Sequence, residues 1–141
     1  MLTLCRWEWE CLGTGQNVVI ARLFTFYGDG ILKDETKAIA QFVKAAKAGF
    51  PIRIWGDGST VRSYMHGAEM GRLLWAILLR GQNGEAYDVG DDKPVTMLQL
   101  ARMCNAAFGN RSQIWIENRP EECTHYLPRD AAKVKRLVAR A

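Results

Sequence analysis

The chain has 141 residues, 48% of them hydrophobic, and a formal net charge of +4 at pH 7. That is one domain with a real core, which excludes a disordered or fibrous polypeptide, and the mild positive charge favours anionic partners, phosphorylated small molecules and nucleic acid among them. Four cysteines without a Cys-x-x-Cys pair, and only two histidines, make neither a zinc site nor a disulfide framework and suit a reducing cytoplasm. The longest apolar run, "LLWAILL", is too short to span a bilayer, so the chain reads as soluble with no membrane partner.

In chain order, "NVVIARLF" from Asn17 is nearly all apolar and rich in β-branched residues, which predicts a strand covered on both faces. From Asp34 to Ala48 the positions Ile39, Phe42, Val43 and Ala46 follow helical spacing, with Gly49 placed to end the helix. "PIRIWG" reads as a short strand from Pro51. Ala68 to Leu79 is apolar around most of its circumference and predicts a helix buried between layers.

"AYDVGD" predicts another strand. Thr96 and Gln99 have capping-box spacing ahead of a stripe of Leu100, Met103, Cys104 and Ala107. "QIWIE" alternates like a strand, and "RDAAKVKRLVAR" closes the chain as a basic helix with Val134, Leu137 and Val138 inward. Four strands alternating with helices predict an α/β layer architecture, with few strands for a complete doubly wound sheet.

No dinucleotide fingerprint is present. Gly56 and Gly58 are followed by Val61 where a third glycine belongs, Gly13 and Gly15 lead to Val18, and Gly28 and Gly30 lead to Lys33. "GDGS" is therefore a turn whose glycines take positive φ. Arg62, shortly before an apolar helix, requires an anion or a carboxylate as partner, and the residues alone leave both open.

The series "VVIARLFTFYGDG", "PIRIWGDGSTVRSYMHGAEM", "GEAYDVGDDKPVTMLQLARM" and "RPEECTHYLPRDAAKVKRL" resembles, in order, the C-terminal half of the extended short-chain dehydrogenase/reductases that act on nucleotide sugars, the NAD-dependent epimerases, 4,6-dehydratases and decarboxylases. The resemblance implies an α/β fold: a partial Rossmann-like remnant carrying the small substrate-binding lobe of such an enzyme. It implies that Arg62 and Arg119 bind the substrate diphosphate and that Ile52, Ile54 and Trp55 lie near the nucleotide base. Thr25 stands where the family has an asparagine that contacts the diphosphate. His66 and Glu69, flanking the start of the apolar helix, are read as structural.

Family chemistry moves a hydride to NAD and needs a Gly-rich loop and a Tyr-x-x-x-Lys base. Four residues after Tyr27, Tyr64, Tyr87 and Tyr126 come Ile31, Ala68, Asp91 and Asp130. The expectation is a non-family segment at 1–16 and a substrate-binding lobe at 17–141, without the NAD-binding half, in a truncated protein. No catalytic residue, no metal and no cofactor are expected for this chain alone, although NAD serves the family.

Alone it is expected to be catalytically incompetent and to bind a nucleotide sugar or nucleoside diphosphate weakly. A homodimer, or a separate Rossmann half, is expected to cover what the missing half would cover. The alternatives are an oligomerising structural or interaction module without ligand binding, and half of a split enzyme. Arg129, Lys133, Lys135, Arg136 and Arg140 complement a helix C-terminus rather than form a nucleic-acid platform, because no aromatics are interleaved with them.

Overall fold

The structure is a computed structural model describing residues 8–28, 30, 36–117 and 125–139. Its first long-range pairing joins β1 (Ile20–Leu23) in parallel to β6 (Ala86–Val89), in a register running from Ile20 opposite Ala86 to Leu23 opposite Val89. Against this pair lie α2 (Gly67–Arg80) and α4 (Ala131–Ala139). Met70, Leu73 and Ile77 from α2, Tyr87 and Val89 from β6, and Val134 and Leu137 from α4 make one buried cluster, joined by Met65.

A second cluster sits under α1 (Ala38–Ala48), β3 (Ile52–Trp55) and α3 (Met97–Ala107), built from Ile39, Phe42, Ala46, Ile52, Ile54, Leu100, Ala101 and Cys104. Each fully buried isoleucine there contributes about 1.5–3 kcal/mol by leaving water. β3 pairs in parallel with β8 (Ile114–Glu117), Arg53 opposite Trp115 and Trp55 opposite Glu117. Pleating sends alternate side chains to opposite faces, so Ile52 and Ile54 point inward while Arg53 and Trp55 face out.

Local chemistry explains the boundaries. α1 ends at Gly49, whose φ of +73° lets its N–H reach back to the Ala45 and Ala46 carbonyls. α3 begins with the expected reciprocal cap: Thr96 Oγ1 accepts from Gln99 N at 3.1 Å, and Gln99 Oε1 accepts from Thr96 N at 2.8 Å. The turn after β3 carries Gly56 at φ +82° and Gly58 at φ +79°.

Five further strands are two residues long: β2 (Phe26–Tyr27) beside β5 (Met65–His66), and β4 (Val61–Arg62) between β7 (Val95–Thr96) and β9 (His125–Tyr126). The expectation of four strands is thus corrected to nine among the described residues, in four small sheets. Pairings this short leave no periodic signal.

The helix expected to be buried between layers is buried on one side only. α4, β5 and β6 cover Met70, Leu73, Ala76 and Ile77, while Trp75, Leu78 and Leu79 are 65%, 72% and 73% exposed. At the other end of the chain, residues 8–12 are helical, and Glu8 is tied to Arg22 of β1. Among the described residues no helix is long and apolar enough to cross a membrane.

Candidate functional site

A cleft of about 600 Å³ opens where β1 runs into β2, walled by the start of α1, the outer face of β3, and β4. The stretch between β1 and β2 brings Phe24 and Thr25 to it, and pleating of β3 presents Arg53 and Trp55. Arg62, Tyr64 and Tyr126 complete the polar and aromatic lining.

The tyrosines organise one wall. Tyr126 stacks on Phe24 with ring centroids 4.6 Å apart, and its hydroxyl donates to the Leu23 carbonyl at 3.3 Å. The Arg62 guanidinium lies 6.0 Å from the Tyr126 ring centre and donates from Nη1 to the Val61 carbonyl at 3.0 Å. Burial pushes the Tyr64 hydroxyl above its ordinary pKa, so it stays protonated at neutral pH, 3.7 Å from Met97 Sδ.

Below Trp55 the turn is locked by Asp57, whose Oδ1 accepts from Ser59 N at 2.8 Å and from its hydroxyl at 2.6 Å. Those bonds hold the carboxyl below the usual aspartate range. A Cβ at Gly58 would stand 3.3 Å from Leu98 Cβ. The turn packs on α3 instead of opening toward a phosphate, so these glycines do not form a dinucleotide cradle.

Of the residues singled out in the sequence, Thr25, Trp55 and Arg62 converge on this cleft. Ile52 and Ile54, expected near the base, do not line it: at 0% and 1% exposure they pack into the core on the opposite face of β3. Arg119 lies outside the described residues. Arg53, Tyr64 and Tyr126 were not anticipated, although the alternation of "PIRIWG" already places Arg53 on the face of Trp55. His66 Nδ1 accepts from Ala68 N at 3.2 Å and caps α2, and Glu69 pairs with Arg72 at 2.9 Å.

Two guanidinium groups, several aromatic side chains and hydroxyls converge on the cleft, an arrangement that fits a ligand with a planar end and an anionic end. Among the described residues no cluster of three or more His, Cys, Asp or Glu side chains could hold a metal.

The fold is that of part of a Rossmann-type epimerase/dehydratase. A Methanothermobacter thermautotrophicus epimerase superposes with a TM-score of 0.77 at 23% identity, covering 94% of this chain and 41% of that one. A Streptomyces venezuelae dTDP-glucose 4,6-dehydratase solved with NAD bound superposes with a TM-score of 0.74 at 24% identity, covering 92% and 40%.

The sequence profile of the NAD dependent epimerase/dehydratase family matches residues 6–90, and the chain belongs to that family. The match begins at residue 6, ahead of the first of the four motifs. Arabidopsis thaliana UDP-glucuronic acid decarboxylase 4 is 27% identical over 126 residues, 89% of this chain and 28% of that protein. A Streptomyces bikiniensis dTDP-4-dehydro-6-deoxy-D-allose reductase is 34% identical over 105 residues, 73% of this chain and 32% of that protein. The chain therefore spans about a third or less of the length of these relatives.

Proposed function

We propose that this chain is a substrate-binding lobe of the nucleotide-sugar epimerases and dehydratases and takes a nucleoside diphosphate, or the nucleotide end of a nucleotide sugar, into the cleft. Arg62 meets the diphosphate, with Arg119 as its second cation; Thr25 adds a hydroxyl, and Trp55 covers the base. The observation that carries this reading is the convergence of Thr25, Trp55 and Arg62, from three separate parts of the chain, on one cleft. The names of the relatives, which work on UDP-linked and dTDP-linked sugars, point to the same ligand class.

Binding is weak, and no hydride moves because the chain supplies neither a Gly-rich loop nor a Tyr-x-x-x-Lys base. The chain's contribution is to bind and orient: guanidinium donors hold phosphate oxygens, and an aromatic face excludes water from the base. A cytoplasmic location suits Cys11 and Cys104, both free thiols.

Calorimetric titration with UDP and dTDP tests the reading. Saturable binding is expected, weakened roughly tenfold or more in Arg62→Ala. Absence of binding to the wild-type chain sinks it. Reduction of NAD by the purified chain with any nucleotide sugar sinks the claim of incompetence.

A second reading, self-association or pairing with a separate Rossmann half, is favoured by the exposed Trp75, Leu78 and Leu79 on α2 and by β1, which among the described residues has a strand partner on one edge only.

A further inference from the structure

Arg53 is placed by structure rather than by chance. Its neighbours along β3, Ile52 and Ile54, are anchored in the core at 0% and 1% exposure, which holds the backbone of Arg53 in place. Across the parallel pairing, Trp115 lies directly opposite. The guanidinium sits over that indole, its carbon 5.4 Å from the ring centre, and Nη1 is 3.6 Å from Glu117 Oε1.

Neither contact uses the guanidinium's directional donors. The distance to Glu117 exceeds a hydrogen bond, and a cation over a ring leaves the N–H edge free to point outward. Among the described residues the Arg53 side chain makes no hydrogen bond and is 57% exposed, yet it lines the same cleft as Trp55. A side chain pinned by its flat face, with its donor edge open, is suited to reading an acceptor.

What it reads follows from its neighbour. Trp55, two residues on and on the same strand face, offers a plane for a base, so Arg53 meets the rim of whatever stacks there. A guanidinium donates and cannot accept. A pyrimidine presenting a carbonyl at its 4-position satisfies it, whereas the 4-amino group of cytosine turns a donor toward a donor.

We propose that Arg53, held by Trp115 and Glu117, is a specificity-determining residue that selects a keto pyrimidine, uracil or thymine, over cytosine at the base end of the cleft. The proposal rests on the nucleotide-binding reading above and goes beyond it by naming the residue that discriminates between bases.

Calorimetry on the full chain with UDP and with CDP separates the two. UDP is expected to bind on the order of tenfold more tightly than CDP, a modest ratio because solvent reaches the site. Arg53→Ala, which removes an exposed side chain and leaves the core intact, is expected to bring the ratio close to one, mainly by weakening UDP. Arg53→Lys keeps the charge but not the planar fork and is expected to lower the ratio as well. Trp115→Leu frees Arg53 and is expected to shrink the ratio while UDP still binds.

Equal binding of UDP and CDP by the wild type overturns the proposal and leaves the nucleotide-binding reading standing. Loss of both ligands by the same factor in Arg53→Ala also overturns it, since Arg53 would then serve the phosphates. Failure of the wild type to bind either ligand removes the nucleotide-binding reading, and the proposal with it.

Discussion

Arg22 grips Glu8 with two donors: Nε reaches Glu8 Oε1 at 2.8 Å and Nη2 reaches Oε2 at 2.6 Å, while Nη1 stands 3.7 Å from Asp88 Oδ1. A forked pair of this kind fixes orientation as well as distance. It ties the helical residues 8–12 to the β1–β6 pair, so a stretch without a legible motif is part of the folded unit.

The hydrogen bonds from Arg22 hold the Glu8 carboxyl below the range of an ordinary glutamate. A depressed pKa in the folded state contributes stability above the unfolded pKa, and that stability is lost as pH falls through the folded value. Glu8→Gln is expected to cost about 0.5–1 kcal/mol at pH 7, held small by the 44% exposure of Arg22, and to flatten the acid limb of a urea-midpoint-against-pH curve. An unchanged acid limb refutes this.

Ile54 and Trp55 are adjacent and should respond oppositely. Ile54→Ala opens a cavity in the core and is expected to cost about 2–5 kcal/mol in chemical denaturation. Trp55→Ala, at a site 42% exposed, is expected to cost much less stability and to weaken UDP binding. If Trp55→Ala is the more destabilising, the side-chain alternation along β3 is wrongly described.

Thr96→Ala removes one half of the cap on α3 and leaves the N–H of Gln99 without its acceptor. A loss of about 1 kcal/mol is expected, with Thr96→Ser restoring most of it.

Gly90 lies against the aromatic wall: a Cβ there would come within 2.8 Å of Phe24 Cβ. Gly90→Ala is expected to cost about 1–3 kcal/mol and, because Phe24 stacks on Tyr126, to weaken nucleotide binding as well. Thermal unfolding and calorimetry on the same variant check both effects.

The outer face of α2 predicts an association. Light scattering at micromolar concentration is expected to give a dimer, and Leu78→Glu, at a site 72% exposed, to return it to monomer with its helix content intact. A wild-type monomer contradicts the self-association reading.

Much of this was legible in the chain itself. The capping box at Thr96, the stop at Gly49 and the positive-φ turn at Gly56 and Gly58 are written in short-range chemistry, so a dozen residues suffice to read them. The resemblance was also legible, because four motifs in fixed order carry far more information than one.

The rest was not legible in the same way. "AEMGRLLWAILL" looks the same whether its second face meets protein or water, and only the position of α4, β5 and β6 reveals that Trp75, Leu78 and Leu79 remain outside. Ile52, Ile54 and Trp55 were placed together near the base by membership of a motif; strand alternation puts Ile52 and Ile54 on the core face of β3 and Arg53 and Trp55 on the cleft face.

Local chemistry and motif order thus determined the helices, the turns and the family, since each depends on residues a few positions apart or on their sequence order. The cleft was decided by packing. Tyr126 reaches Leu23 across 103 positions, and Arg53 meets Trp115 only because β3 and β8 pair in one particular register. Contacts between distant segments are set by how two cores settle against each other, and no window along the chain contains that fact.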